Sequence, residues 1–471
     1  MNKTGQKHSR ALECGMFDLG IDPVSNAFAR TAREILVRRY GIQPNCPVSL
    51  SHTKLPYLDG VHQVQCGPGP DVENGILVGA LRIGSAPLRM AQSICSFGRH
   101  ARTAYLMEML SLDSPEAKLI READDVASFF SRLAAEWGGP LEWLWNVVSK
   151  NVDANSLHFS VLLAEALRNL LRGADSSQPF ISAHPLAGQI AVAVGFSRVI
   201  NLVPHAFPQY YLLVPGATNL VQNQTLFDAY VQMGIPPESL AVAGHWVSDQ
   251  LSENINADAQ LRIARADSTQ RLRVLFVIES NSDRNFLVDL IRHMHAILRD
   301  DKLRLLVITT PAMQAVVQRS LERHGVEFAC VESFDAGHAF VQANPLNGSD
   351  LKFPVTFFTS SDQLELAFLT DCLIRISDIL ITQPSDLAFL PVPKILTRRA
   401  TESQANSSQQ AETLGDAWPE QKTAAQAAAL IRKIMQERNL LTTINERIVR
   451  NAGDRVYEGS KLAVELAESW T

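Results

Sequence analysis

Ser377-Asp378-Ile379-Leu380-Ile381-Thr382-Gln383-Pro384-Ser385-Asp386 is an apolar, β-branched run that stops at a polar corner. A second apolar run, Leu387-Ala388-Phe389-Leu390, leads through Pro391-Val392-Pro393-Lys394 to Ile395-Leu396-Thr397-Arg398-Arg399. The pattern reads as strand, site-forming turn and neighbouring strand. At the carboxyl ends of parallel strands the backbone turns away and leaves a crevice lined by loop N–H groups and short polar side chains, which is where α/β sheets bind ligands. Any chemical site of this chain is expected to include that corner.

Upstream, the same alternation of apolar run and helical pattern recurs. Runs at 273–278, 303–308, 326–331 and 355–358 read as strands, and the stretches 285–298, 311–324 and 363–376 as helices. An earlier series has strands at 75–84, 105–110, 179–185, 195–204, 210–215 and 239–248, with helical stretches at 87–97, 114–173 and 225–233. Two α/β domains in tandem follow from this repetition. The expected boundaries are a preface at 1–71 that ends in Cys66-Gly67-Pro68-Gly69-Pro70, a first domain at 72–262, a polar linker at 263–271, a second domain at 272–420 and C-terminal helices at 421–471. The preface holds one helix, at 23–40. Residues 400–420, rich in Ser, Gln, Thr, Glu and Ala and without apolar periodicity, read as a mobile loop.

The totals agree with two soluble domains. A chain of 471 residues exceeds one ordinary core, and 46% apolar with 20% charged residues is a globular composition. The net charge of −6 argues against a dedicated nucleic-acid binder, which needs a basic face. No apolar segment of signal-peptide type follows the charged first ten residues, and no run approaches the roughly 20 apolar residues that span a bilayer. A cytoplasmic location is expected, with peripheral contact to the inner membrane left open. The six cysteines (Cys14, Cys46, Cys66, Cys95, Cys330 and Cys372) show no C-x-x-C pair and read as reduced thiols.

Several residues outside the opening stretch could carry chemistry. His184, after Phe180-Ile181-Ser182-Ala183, and His205, after Val203-Pro204, stand at strand ends, where imidazole suits proton transfer near neutral pH. Gly84-Ser85, between a strand and a helix, forms either an anion site or an ordinary α/β turn. Glu279-Ser280-Asn281 follows the first strand of the second domain, and Gly244-His245-Trp246 closes the last strand of the first. Trp137, Trp143 and Trp145 suit either an acceptor- or membrane-facing surface or core packing. His293 and His295, two apart on a helix, diverge, and no metal-ligand cluster is expected.

On these residues the chain resembles the GT-B glycosyltransferases over roughly 72–400 at the level of pattern. The nearest group is that of bacterial lipid-linked N-acetylglucosaminyl transfer and monogalactosyldiacylglycerol synthase. Ile181-Ser182-Ala183-His184-Pro185 and Gly244-His245-Trp246 are similar to the acceptor half. Residues 377–387 are similar to the nucleotide-sugar half, with Thr382-Gln383-Pro384-Ser385-Asp386 where the family writes Thr-Lys-Pro-Gly-Gly. The resemblance implies two tandem Rossmann-like doubly wound domains with a helical C-terminal tail. It further implies a donor site of Glu279, Ser280, Asn281, Gln383, Pro384, Ser385 and Asp386, an acceptor side with Gly84, Ser85 and His245, and His184 or His205 as catalytic base. The nucleotide sugar enters as substrate, with UDP the candidate nucleotide, and no bound cofactor or metal is implied. The implied activity is sugar transfer in a cleft between the domains. The alternatives are a GT-B-like nucleotide-sugar epimerase and a non-enzymatic binding or regulatory protein of the same fold. The acceptor, the donor sugar and the oligomeric state are left open.

Overall fold

The computed structural model describes residues 16–82, 86–100, 103–123, 154–205, 207–279, 282–399 and 402–470. The chain divides into two compact units, Met1–Gly244 with Gly459–Thr471, and His245–Glu458. Each is a doubly wound α/β domain. Among the described residues no helix is long and apolar enough to cross a membrane.

The first unit carries eight strands: β1 (Leu50–Lys54), β2 (Val61–Cys66), β3 (Ile76–Ala80), β4 (Ala104–Glu108), β5 (Phe180–Ser182), β6 (Val199–Leu202), β7 (Thr218–Val221) and β8 (Leu240–Val242). Their spatial order is β1-β2-β4-β3-β5-β6-β7-β8. The β1–β2 hairpin pairs antiparallel, and the later strands pair parallel. From β3 the chain moves to β4 on one side and then to β5 on the other. The crevice outside the carboxyl ends of β3 and β5 is therefore the switch point of this sheet.

The second unit carries β9 (Leu272–Val277), β10 (Leu303–Thr309), β11 (Phe328–Val331), β12 (Val355–Thr359), β13 (Ile379–Thr382), β14 (Lys394–Thr397) and β15 (Ala417–Gln421). Their order is β11-β12-β10-β9-β13-β14-β15, with parallel pairing throughout. The switch point here lies between β9 and β13. Successive residues of these strands bury on opposite faces: Val274, Phe276 and Ile381 join one core with Leu290 and Ile431, while Leu275, Leu306 and Leu380 join the other with Leu369 and Leu373. Burial on both faces explains the unbroken apolar runs, and each such side chain contributes about 1.5–3 kcal/mol of transfer free energy.

Caps and buried arginines hold the ends of elements. Asp22 accepts from Ser25 N at 2.8 Å at the start of the helix Pro23–Arg39, and Asp362 accepts from Leu364 N at 2.7 Å at the start of Gln363–Arg375. The helix Ile255–Ala266 is tied to the second sheet by Arg265, which pairs with Asp378 at 3.0 Å, and by Arg262, which donates to the carbonyls of Ile374, Ser377 and Pro391. Residues 263–266, expected in a linker, thus belong to a helix whose buried guanidinium groups satisfy carbonyls beside β13.

Three further expectations are corrected. The preface supplies β1, an edge strand, and β2 beside it to the first sheet; both carry polar residues, such as His52, Thr53 and Gln63, which hid them. The run 210–215, expected as a strand, is a 3-10 turn, Tyr210–Leu212, followed by buried loop. Its carbonyls are met by side-chain amides rather than by a ladder: Asn201 Nδ2 donates to Leu212 O at 2.9 Å, Gln189 Nε2 to Leu213 O at 3.0 Å and Asn219 Nδ2 to Val214 O at 3.2 Å. Finally, the described residues of 400–420, from 402 on, are no loop. They contain the helix Glu402–Leu414 and β15, whose small residues Ala411 and Ala417 pack with Leu414 on Ala388 and Phe389. Small residues bury a face without leaving an apolar stripe.

The last helix, Gly459–Ser469, packs within the first unit, where Ser460 Oγ lies 2.9 Å from Ser93 Oγ of the helix Ala86–Cys95.

Candidate functional site at the strand ends

In the second unit the opening stretch folds as β13, a buried Gln383-Pro384 corner, and a single 3-10 turn, Asp386–Phe389. Ser385 Oγ accepts from Leu387 N at 3.4 Å and starts that turn. The chain then returns as β14, parallel to β13. The expected strand-turn-strand is present, with the turn at the carboxyl end of the sheet.

Thr382 Oγ1, on a residue 0% exposed, and Gln383 Oε1, on a residue 8% exposed, are buried at this corner without a hydrogen-bond partner among the described residues. Buried polar groups are nearly always paired, because stranding one costs about 1–3 kcal/mol. Gln383 lines a small cavity with Phe276, Ser282, Asp283, Thr397 and Arg398. Its volume, about 20 Å³, is room for a single water.

The helix Arg284–Arg299 starts at the same place. Its free first-turn N–H groups would attract an anion, but Asp283 takes them: Asn285 N and Phe286 N donate to its Oδ1 at 2.9 and 3.4 Å. Arg398 Nη1 stands 3.8 Å from Asp283 Oδ2 in an exposed pair, so one cation and one carboxylate flank the cavity. Glu279 is half-buried, and its carbonyl accepts from Ser282 N at 3.1 Å. Ser280 and Asn281 lie outside the described residues. The sequence pattern alone assigns Arg398 and Thr397 no role; their place directly after an apolar run at a carboxyl end is the signal it offers.

In the first unit His184 is the N-cap of the helix Pro185–Val194, and Leu186 N donates to its Nδ1 at 3.2 Å. An imidazole that accepts at Nδ1 carries its proton on Nε2, so the outward nitrogen is a donor. Burial, with His205 nearby, pulls His184 down to about 4. His205, three residues past β6, is also pulled down by burial and has no hydrogen-bond partner among the described residues. The structure therefore brings these two imidazoles together electrostatically and keeps both neutral at pH 7.

Sequence reasoning missed Glu108 and Arg82, at the carboxyl ends of β4 and just past β3. Glu108 is buried, accepts from Leu110 N at 2.9 Å and Arg82 N at 3.2 Å, and faces the Arg82 guanidinium at 3.9 Å. Gly84 and Ser85, expected beside them, lie outside the described residues, as do Trp137, Trp143 and Trp145. His245, expected on an open acceptor side, is instead 4% exposed in the second unit and stacks face to face on Phe389, with centroids 4.0 Å apart. Burial, with Lys394 nearby, pulls it down to about 3. Among the described residues no group of three or more His, Cys, Asp or Glu could hold a metal ion.

Residues 16–232 match the family model described as Domain of unknown function (DUF6937), and residues 235–468 match Domain of unknown function (DUF6938). Comparison with curated proteins finds no match. Among solved structures, the chain is similar to a co-structure of MnaA from S. aureus with UDP, at 9% identity and a TM-score of 0.44 over 83% of this chain and 94% of that one. It is similar to the UDP-GlcNAc 2-epimerase from Neisseria meningitidis bound to UDP-GlcNAc, at 10% identity and 0.43 over 83% and 98%. It is also similar to Anabaena HepE in complex with UDP and glucose, at 11% identity and 0.40 over 84% and 99%. The fold assignment rests on the strand order and parallel pairing of the two sheets themselves.

Proposed function

We propose that this chain is a glycosyltransferase of GT-B type that binds a nucleoside-diphosphate sugar, with UDP the candidate nucleotide, at the corner after β13. The observation that carries the reading is the pair of stranded polar atoms, Thr382 Oγ1 and Gln383 Oε1, buried at the switch point of the second sheet beside a helix N-terminus and Arg398. Gln383 accepts from a sugar or ribose hydroxyl, and Thr382 donates to an oxygen. Arg398 offsets the diphosphate charge, with Glu279, Ser280, Asn281, Pro384, Ser385 and Asp386 around it. Since the cavity holds one water, ligand entry requires the exposed Asp283–Arg398 pair to part.

The acceptor binds to the first unit and the donor to the second. His205 takes the proton of the acceptor hydroxyl, the oxygen attacks the anomeric carbon, and the bond to the diphosphate breaks with the electron pair leaving on the nucleotide. His184, protonated on Nε2, donates to the acceptor and does not act as base.

Calorimetric titration with UDP tests the reading. The wild-type protein is expected to bind, and Gln383→Leu, which removes the stranded acceptor at similar volume, to bind about tenfold more weakly. Failure of the wild type to bind UDP or any other nucleoside diphosphate, or equal affinity in the variant, would overturn it. Product analysis with labelled UDP-sugar separates transfer from epimerisation.

A further inference from the structure

The second unit holds a larger cavity that the proposed chemistry does not use. It measures about 220 Å³, room for about seven waters, and so suits a small metabolite rather than a nucleotide. It lies at the opposite end of the sheet from Gln383. Its walls include Ile376, just before β13, and Leu346, whose carbonyl accepts from the same Arg265 that pairs with Asp378 ahead of β13. Both mark the amino ends of the strands.

The polar groups of this cavity are unequally satisfied. Arg375 spends Nε and Nη2 on Asp258, at 3.1 and 3.5 Å, and its Nη1 has no acceptor among the described residues. Gln250 accepts the Cys372 thiol at Oε1, 3.5 Å away. Burial pushes that thiol up to about 12 and keeps it protonated, a donor to Oε1, with Nε2 on the other branch of the amide. Gln250 Nε2 is buried and has no hydrogen-bond partner among the described residues. Asp258 is already matched by Arg375, and His338, Gln342 and Asn347 complete the polar lining; at Gln250 and Arg375 the groups left over are donors, one of them on a cation. Beside them Leu261, Val341, Leu346 and Ile376 supply an apolar wall.

We propose that this cavity is a binding site for a small aliphatic carboxylate, whose oxygens bridge Arg375 Nη1 and Gln250 Nε2 while its carbon chain lies against Leu261, Val341 and Leu346. An oxyanion supplies acceptors and charge where the cavity offers donors and a cation. An aliphatic body fills the wall that a bare phosphate would leave wet. The site is separate from the nucleotide corner and does not depend on it.

The test is calorimetry and saturation-transfer NMR of the full chain with acetate, butyrate, n-butanol and inorganic phosphate. Butyrate is expected to bind one to one, more tightly than acetate, with n-butanol at least tenfold weaker because it lacks the charged acceptors. Gln250→Leu keeps the Asp258–Arg375 pair and is expected to weaken butyrate about tenfold while leaving UDP binding unchanged. Arg375→Met is expected to abolish butyrate binding. If that variant fails to fold, Gln250→Leu alone decides. No butyrate binding at millimolar concentration, equal binding of n-butanol, preference for phosphate, or unaltered affinity in Gln250→Leu would overturn the proposal.

Discussion

Replacing Lys394 by methionine should be among the most damaging single changes in the second unit. Lys394 opens β14 and is 0% exposed; its ammonium lies 2.9 Å from Asp416 Oδ2 and donates to Leu390 O at 2.7 Å. Asp416, also 0% exposed, accepts the Tyr457 hydroxyl at 2.6 Å, so two buried polar side chains share its carboxylate. Burial pulls the lysine down and pushes the aspartate up, each opposed by the other's charge. Removing the cation leaves a buried carboxylate without a counter-charge, which costs about 3–5 kcal/mol. For a unit of this size that lowers Tm by about 10 °C. Lys394→Met/Asp416→Asn, which also removes the charge but keeps an oxygen for Tyr457, should regain most of the loss. The sign with pH follows from linkage. In Lys394→Met the folded-state pKa of Asp416 rises above its unfolded value, so the native state binds the extra proton. Stability is then highest below the unfolded pKa, about 3.9, and falls as pH rises through the folded one. Thermal and urea unfolding from pH 4 to 8 measure this. An unchanged midpoint in Lys394→Met, or a double variant no better than the single, would refute the reasoning.

Asp283→Ala should cost about 1 kcal/mol of helix-cap stability yet tighten UDP, since it frees the first-turn N–H groups and removes a like charge; calorimetry showing unchanged or weaker binding would contradict that. Because burial holds His184 down to about 4 against an unfolded value near 6.5, its contribution is complete above about pH 6.5 and is lost as pH falls toward 4. His184→Asn, which keeps a cap, should flatten that slope in denaturation curves taken across this window. Gly79→Ala would put a Cβ 2.3 Å from the Phe180 ring and should cost about 1–3 kcal/mol through overpacking, read as a lower urea midpoint.

Parallel strands were the most legible part of the chain. Residues such as Leu275-Phe276-Val277 and Leu380-Ile381 bury both faces, so they stand out as continuous apolar runs, and their spacing implied two doubly wound sheets. Where burial was achieved otherwise, the same criterion failed. Leu212-Leu213-Val214 is as apolar as a strand, but the side-chain amides of Asn201, Gln189 and Asn219 supply the hydrogen bonds that let it be a loop. The helix Glu402–Leu414 buries Ser408 and Ala411, residues with no apolar signature. Among the site residues, the corner at Gln383 was readable because a polar cluster ended an apolar run. That Asp283 caps the neighbouring helix, and that His184 spends its Nδ1 on a backbone N–H, depends on backbone geometry that no local pattern encodes.

The central claim is that a nucleotide diphosphate binds at the corner after β13, and hydrogen–deuterium exchange of the whole chain with and without saturating UDP addresses it most directly. Protection is expected in residues 382–386 and in the first turn of the helix Arg284–Arg299, with none at 338–347. Exchange that UDP leaves unaltered throughout, or protection confined to other segments, would contradict it.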